Sequence, residues 1–308
     1  MGKLIAICTS PAKGTQKTQV PEAVLREDWG IEGDAHAGHW HRQVSLLGLE
    51  QIEAFRKKGA QVEYGAFGEN LVVEGVQDLK TIQVGSRIKV GACEMELTQI
   101  GKACHSHCAI YKVMDDCIMP REGVFARVVR GGVIRPGDAV EVEPLSPDHP
   151  FTAAVITLSD RAYAGKYEDK SGPEIRRILE EHGYEVEEQI LLPDGKPMLE
   201  ANLCRLADQR QINVIFTTGG TGFAERDQTP EATVEVCDRM ADGISQAILV
   251  KSLSITDKAM LSRGRSGIRK KTLIINLPGS PKACREDLDI VLPALGHGLG
   301  ILRGTATD

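Results

Sequence analysis

The chain has 308 residues, with 37 basic side chains against 43 acidic ones and a formal net charge of −6, a small acidic surplus that both halves share. Neither half is a basic arm or an acidic tail, so the composition argues against nucleic acid or a membrane surface as partner, and no run approaches the roughly 18 apolar residues of a membrane span. At 42% hydrophobic and 26% charged, the balance is that of a soluble globular protein long enough for two domains.

The N-terminal MGKLIAICTS reads as a first strand. It carries one lysine, and no signal-peptide cleavage pattern follows it, so a cytoplasmic protein is expected. The stretch VSLLGLEQIEAFRKKG (44–59) carries the clearest helical patterning of the first half. SRIKVGACEMELTQIG (86–101) and GGVIRPGDAVEVEPL (131–145) alternate with period two around Gly and Pro-Gly turns, the pattern of antiparallel strands. A β-rich, barrel-like domain over residues 1–146 follows from this grammar. LSPDHPFT, with two prolines among polar residues, marks a linker at 147–152.

The first half also concentrates sulfur. Eight cysteines are too sparse for a disulfide scaffold, yet Cys104, Cys108 and Cys117 fall within fourteen residues, in IGKACHSHCAIYKVMDDC. Three readings stay open. The interleaved His105 and His107, with His36, His39 and His41 elsewhere, allow a zinc site of unusual spacing. The cysteines could equally be buried and inert. Alternatively, a thiolate near Lys102 and Arg121 would have a lowered pKa and act as a nucleophile or soft metal ligand. Cys8 and Cys93 lie in apolar strands and should be inert.

From residue 153 the grammar changes. AAVITLS, QILLP, NVIFTTGG and TLIINLPG are short apolar runs without alternation, as expected of strands buried on both faces. Helical segments separate them. SGPEIRRILEEHG opens with Ser171, Pro173 and Glu174 in the arrangement of a capped start. The pattern predicts a doubly wound α/β domain with a mostly parallel sheet over residues 153–308, whose ligands sit beyond the carboxyl ends of the strands. Three loops fall there: TLSDRAYAGKYEDKSG (157–172), TTGGTGFAERDQTPEAT (217–233) and NLPGSPKA (276–283). Amides in glycine-rich turns and at helix N-termini attract anions, so Gly219, Gly220, Gly222, Gly279, Ser280 and Lys282 are candidates for a phosphate site. The GGTG segment is also compatible with a plain tight turn. There is no GxxxxGK[ST] loop, and the dinucleotide fingerprint fails at Glu225. Asp227, just before a helix that Pro230 can open, suggests a cation between carboxylate and phosphate. Arg226 beside it could pair with phosphate or with a neighbouring acid.

TLSDR, D-x-S-G-P, LLPD, TTGGTGF-x-x-RD-x-TPEAT, AMLSR and NLPGSP occur in this order over residues 151–308. This half resembles the molybdopterin adenylyltransferases, a family of molybdenum-cofactor proteins that includes gephyrin-like domains. The resemblance implies a molybdopterin-binding α/β fold, usually trimeric, that joins the phosphate of molybdopterin to the α-phosphate of ATP and releases pyrophosphate. By position in the motifs it implies Asp194 and Asp227 as the acids that position Mg²⁺ and ATP. It also implies Ser159, Asp160, Gly219, Gly220, Gly222, Pro278, Gly279 and Ser280 around the pterin and nucleotide. Gly195 and Glu225 depart from the pattern, where relatives often have a second acid and a proline.

In the first half, GIEGDAHAGHWHRQVSLL, FGENL, GK-x-CH, CIMPREGVFARV and GGVI-x-PGD follow the order of the MOSC domain, which this half resembles over residues 1 to about 145. That resemblance implies sulfur carriage, or binding of molybdenum or tungsten cofactor, through a cysteine. Cys104 matches best, Cys108 and Cys117 compete with it, and Lys102, Arg121, Arg42 and Arg127 are candidates for the cofactor's phosphate. The function expected is molybdenum or tungsten cofactor biosynthesis, with molybdopterin and ATP as substrates and other biosynthetic proteins or apo-molybdoenzymes as partners. The alternatives are a non-catalytic cofactor carrier and a cofactor-dependent reductase.

Overall fold

The computed structural model describes residues 2–102 and 116–306 and divides into two compact units, Met1–His149 and Pro150–Asp308. The first unit's strands are β1 (Gly2–Thr9), β2 (Thr18–Val20), β3 (Ala23–Arg26), β4 (Gly30–Ile31), β5 (Val44–Gly48), β6 (Leu71–Glu74), β7 (Arg87–Val90), β8 (Cys93–Ile100), β9 (Val124–Arg130), β10 (Gly132–Ile134) and β11 (Ala139–Glu143). They hydrogen-bond in the order β11-β7-β8-β9-β5-β6-β1, and pairing of Gly2 with Val140 and Lys3 with Ala139 closes the ring into a seven-stranded barrel. β2 adds to β1, while β10, β3 and β4 form a small separate sheet. Alternation explains the closure. Ile88 and Val90, Met95 and Leu97, Val124, Ala126 and Val128, and Val44 and Leu46 all point into one buried interior.

Outside the wall, a second cluster forms where helix α1 (Leu49–Arg56) lays Ile52 and Phe55 against Leu47, Val72 and Phe67. Here the sequence expectation needs correcting. VSLLG is a strand, buried at all five positions between β9 and β6, and the helix starts only at Leu49. A five-residue run buried throughout has no amphipathic face to offer a helix, and two neighbouring strands supply its backbone partners.

The second unit holds β12 (Thr152–Leu158), β13 (Glu185–Leu192), β14 (Val214–Thr218), β15 (Arg239–Met240), β16 (Ser266–Arg269) and β17 (Thr272–Leu277). The sheet order is β13-β12-β14-β17-β16-β15, with the first four strands parallel and the last two antiparallel. Alternate residues of each central strand go to opposite cores. Ala153, Val155, Val214, Phe216 and Ile275 pack with helices Ser171–Glu181 and Pro281–Arg303, whereas Ala154, Ile156, Ile215 and Ile274 pack with helices Lys196–Asp208 and Thr229–Val236. The register aligns Thr157 with Thr218 and Thr218 with Leu277, so three loops leave the sheet at one edge.

The start of helix Ser171–Glu181 also departs from expectation. No Ser171–Glu174 capping box forms. The Oδ1 of Asp169 accepts the amides of Ser171 and Gly172, each at 3.0 Å, and Glu174 pairs with Arg177 and Arg285. An aspartate two residues upstream reaches the free amides and releases the serine hydroxyl for another bond. Among the described residues, no helix is long and apolar enough to cross a membrane.

Candidate functional site

The three loops of the second unit meet at the carboxyl edge of the sheet. Gly219 and Gly220 have φ of 97° and 64°, a backbone that side chains rarely adopt. A β-carbon on Gly219 would lie 2.4 Å from the Leu158 carbonyl oxygen, and one on Gly220 would lie 2.4 Å from Thr229 Oγ1. The close approach is fixed by hydrogen bonds. Thr229 Oγ1 donates to the Gly219 carbonyl at 2.9 Å, Thr218 Oγ1 to the Pro278 carbonyl at 2.7 Å, and Ser171 Oγ to the Gly279 carbonyl at 2.9 Å. Gly219→Ala is therefore expected to destabilise the second unit by about 1–3 kcal/mol, read as its urea midpoint. An unfolding free energy within about 0.5 kcal/mol of the parent's would mean the loops are not locked in this way.

Three carboxylates belong to these loops and the turn after β13. Asp160 and Asp194 exchange backbone-to-side-chain bonds, the Asp194 amide to Asp160 Oδ1 at 3.0 Å and the Asp160 amide to Asp194 Oδ2 at 3.2 Å. The same Asp194 Oδ2 lies 3.7 Å from Arg226 Nε, so Arg226 faces an acid. Asp227 Oδ2 accepts the Ala224 amide at 3.0 Å. Ser159 and Ser280 act as N-caps, each hydroxyl accepting a backbone amide at 3.2 Å, from Ala162 and Ala283 respectively. Ser280 thereby opens a 23-residue helix, Pro281–Arg303, whose positive dipole end faces this edge. Lys282 projects into solvent 3.6 Å from Glu286.

Sequence reading missed Arg263. Its Nε donates to the Gly222 carbonyl at 2.7 Å, its guanidinium also reaches the Asp227 carbonyl, and it pairs with Glu231. It straps the glycine loop to the helix behind it. The signal was present in AMLSR, a motif with no role assigned. Two cavities adjoin at Lys196, Glu231 and Arg263. One, of about 650 Å³, contains Phe223, Ala224 and Asp227. The other, of about 980 Å³, runs under helix Asp242–Leu253 to Asn276, Pro278 and Asp287.

In the first unit, Cys104 and Cys108 lie outside the described residues. Lys102 is half-buried. Arg121 pairs with Asp116 at 2.8 Å and Arg127 with Glu96 at 2.8 Å, while Arg42 stacks on Trp40 at 4.8 Å. Cys117 is buried. Burial pushes the Cys8 thiol up to about 12 and raises that of Cys93, which makes both poor nucleophiles. His36, His39 and His41 face Lys17, Asp28 and Gln99 respectively. No group of three His, Cys, Asp or Glu suited to a metal occurs among the described residues.

The GDAH segment hides a buried ion pair that the sequence reading did not anticipate. Lys17 Nζ contacts Asp34 Oδ2, and both side chains are buried. Asp34 also accepts the Ser10 amide at 3.0 Å and the His36 amide at 2.9 Å. Although burial opposes it, bonding to His36 and Lys17 holds the Asp34 carboxyl well below the usual carboxylate range. Burial lowers the Lys17 ammonium from its ordinary value.

The probable molybdopterin binding domain model matches residues 154–297, and the MOSC domain model matches residues 33–141. The molybdopterin adenylyltransferase of Helicobacter pylori J99 is 42% identical over 157 residues, 49% of this chain and 86% of the relative. That of Escherichia coli K12 is 40% identical over 146 residues, 46% of this chain and 74% of the relative. Among solved structures, the molybdopterin biosynthesis enzyme MoaB of Thermus thermophilus shares 43% identity at a TM-score of 0.48, over 50% of this chain and 97% of the other.

Proposed function

The chain belongs to the molybdopterin adenylyltransferase family through its second unit, and on that footing we propose that this unit joins the phosphate of molybdopterin to the α-phosphate of ATP. A phosphate oxygen of the pterin substrate forms the new P–O bond. The bond between the α- and β-phosphates breaks, and pyrophosphate leaves with the electron pair.

The observation that carries this reading is the meeting of the Gly219–Gly220 turn, the Ser280-capped helix start and the carboxylates of Asp194 and Asp227 at one sheet edge. Open amides and a helix dipole suit phosphates, which bring their own negative charge. Two oriented carboxylates suit Mg²⁺ arriving with ATP, because that ion keeps water and phosphate oxygens in most of its positions. Mg²⁺ would supply charge neutralisation at the transferred phosphate. Arg226 places a positive charge beside Asp194, and Arg263 binds the carbonyls of Gly222 and Asp227, tying the loop to the helix behind it. The nucleotide takes the cavity beside Asp227, and the pterin takes the larger cavity, which reaches Pro278 near the Ser280-capped helix start.

For the first unit we propose cofactor binding or sulfur carriage through Cys104, with Lys102 nearby in sequence stabilising the thiolate. The test uses the full chain with molybdopterin, ATP and Mg²⁺, measuring pyrophosphate and adenylylated pterin in equal amounts. Cys104→Ser is expected to leave that stoichiometry and rate unchanged while abolishing persulfide or cofactor loading, read by mass. Cofactor binding without pyrophosphate release would instead identify a carrier.

A further inference from the structure

Asp287 stands apart from the phosphate machinery. It is carried by helix Pro281–Arg303, is 4% exposed, and lines the larger cavity. Its Oδ1 accepts Ser252 Oγ at 3.0 Å. Among the described residues no cation lies within ion-pair distance of it. Burial pushes its carboxyl up to about 6. A buried carboxylate that faces a cavity with one neutral partner has unspent acceptor capacity, and the cost of burying it falls if a ligand brings donors.

The other charges around this cavity are largely occupied. Arg265 pairs with Asp242, Arg263 with Glu231, Lys196 with Glu235, and Glu286 with Lys282. Glu286, beside Asp287 on the same helix, adds like charge. Lys258 is exposed to solvent, where screening weakens its reach. The cavity thus presents a carboxylate needing donors, with no ammonium or guanidinium set to supply them.

We propose that Asp287 is a specificity-determining residue that reads the ring edge of the pterin, accepting hydrogen bonds from the ring N3–H and the 2-amino group side by side. This rests on the reading that the larger cavity takes the pterin. Two parallel N–H donors match one carboxylate as a guanidinium does, and such charge-assisted pairs are about twice as strong as neutral ones. A ring with oxygen in place of the 2-amino group would set an acceptor against an acceptor.

The full chain is titrated with pterin and with lumazine (the 2-oxo analogue), following quenching of pteridine fluorescence. The parent protein is expected to prefer pterin by about tenfold or more. The preference should hold above pH about 6, where Asp287 is ionised, and fade below it as the carboxyl takes up a proton. Asp287→Asn presents one acceptor and one donor, so it should favour lumazine and lose the pH dependence. Asp289→Asn, which removes a charge from an exposed position of the same helix, should behave as the parent. Asp287→Asn with the parent's preference and pH profile would overturn the inference while leaving the pterin cavity standing. If the parent binds neither pteridine, the cavity reading fails and the inference falls with it. The pH profile of the unmodified chain decides the matter even if the variant folds poorly, since a merely structural carboxylate would not make discrimination between two neutral rings follow its own titration.

Discussion

Replacing Asp227 by alanine is expected to lower the rate of pyrophosphate release by roughly 10²–10³-fold at saturating substrate, with a much smaller change in stability. The geometry separates the two effects. What the fold loses is one hydrogen bond from the Ala224 amide to Oδ2, worth about 0.5–1.5 kcal/mol. The loop keeps the bonds from Arg263 to Gly222 and from Thr229 to Gly219. What the site loses is a fixed negative charge beside the phosphates, and with it one of two carboxylates suited to holding the cation. Asp227→Asn keeps the shape and the Ala224 bond but not the charge, so it should fall nearly as far as alanine. Turnover is followed by coupled pyrophosphate detection, and stability by thermal melting of the same samples. Parent-like turnover in either variant would remove Asp227 from the chemistry.

The elements that sequence made legible are those whose signal is local. β12, β14 and β17 are unbroken apolar runs ended by polar or glycine punctuation, and burial on both faces leaves such runs no alternative. The glycines that end β14 carry their own reason, since only residues tolerant of positive φ could bring that backbone against Leu158 and Thr229. What was not legible depends on partners distant in the chain. VSLLG becomes a strand because β6 and β9 flank it, and no window of a dozen residues contains that fact. Arg263 straps a loop some forty residues away, and Asp287 faces a cavity whose other walls come from separate helices. Lys17 and Asp34 sit in polar stretches that read as exposed loop, yet both side chains are buried. Periodicity reports which face a side chain takes, not which charge waits on the other side.

That ion pair gives the largest stability effect expected in the molecule. Asp34→Asn preserves volume and can still accept a backbone amide, but leaves the Lys17 ammonium buried without its counter-ion. Breaking a buried pair from one side typically costs about 3–5 kcal/mol. A separate bound agrees: the lysine can escape by losing its proton, which at pH 7 costs at most about 4.6 kcal/mol for a group that ordinarily titrates near 10.4. Against a typical domain stability of about 5–15 kcal/mol, this should shift the urea transition of the first unit markedly and leave that of the second in place. The pH dependence identifies the cause. In the variant, burial without Asp34 makes Lys17 give up its proton more readily in the folded state than in the unfolded chain, so the unfolded state carries more protons and stability must rise with pH. The rise should be flatter in the parent, where Asp34 favours the charged lysine. Lys17→Met added to Asp34→Asn removes the stranded charge and should recover much of the loss, a coupling that a double-mutant cycle measures. A single variant within about 0.5 kcal/mol of the parent, with a parallel pH profile, would show that Lys17 finds water or another partner, and that the pair does not hold the GDAH segment in place.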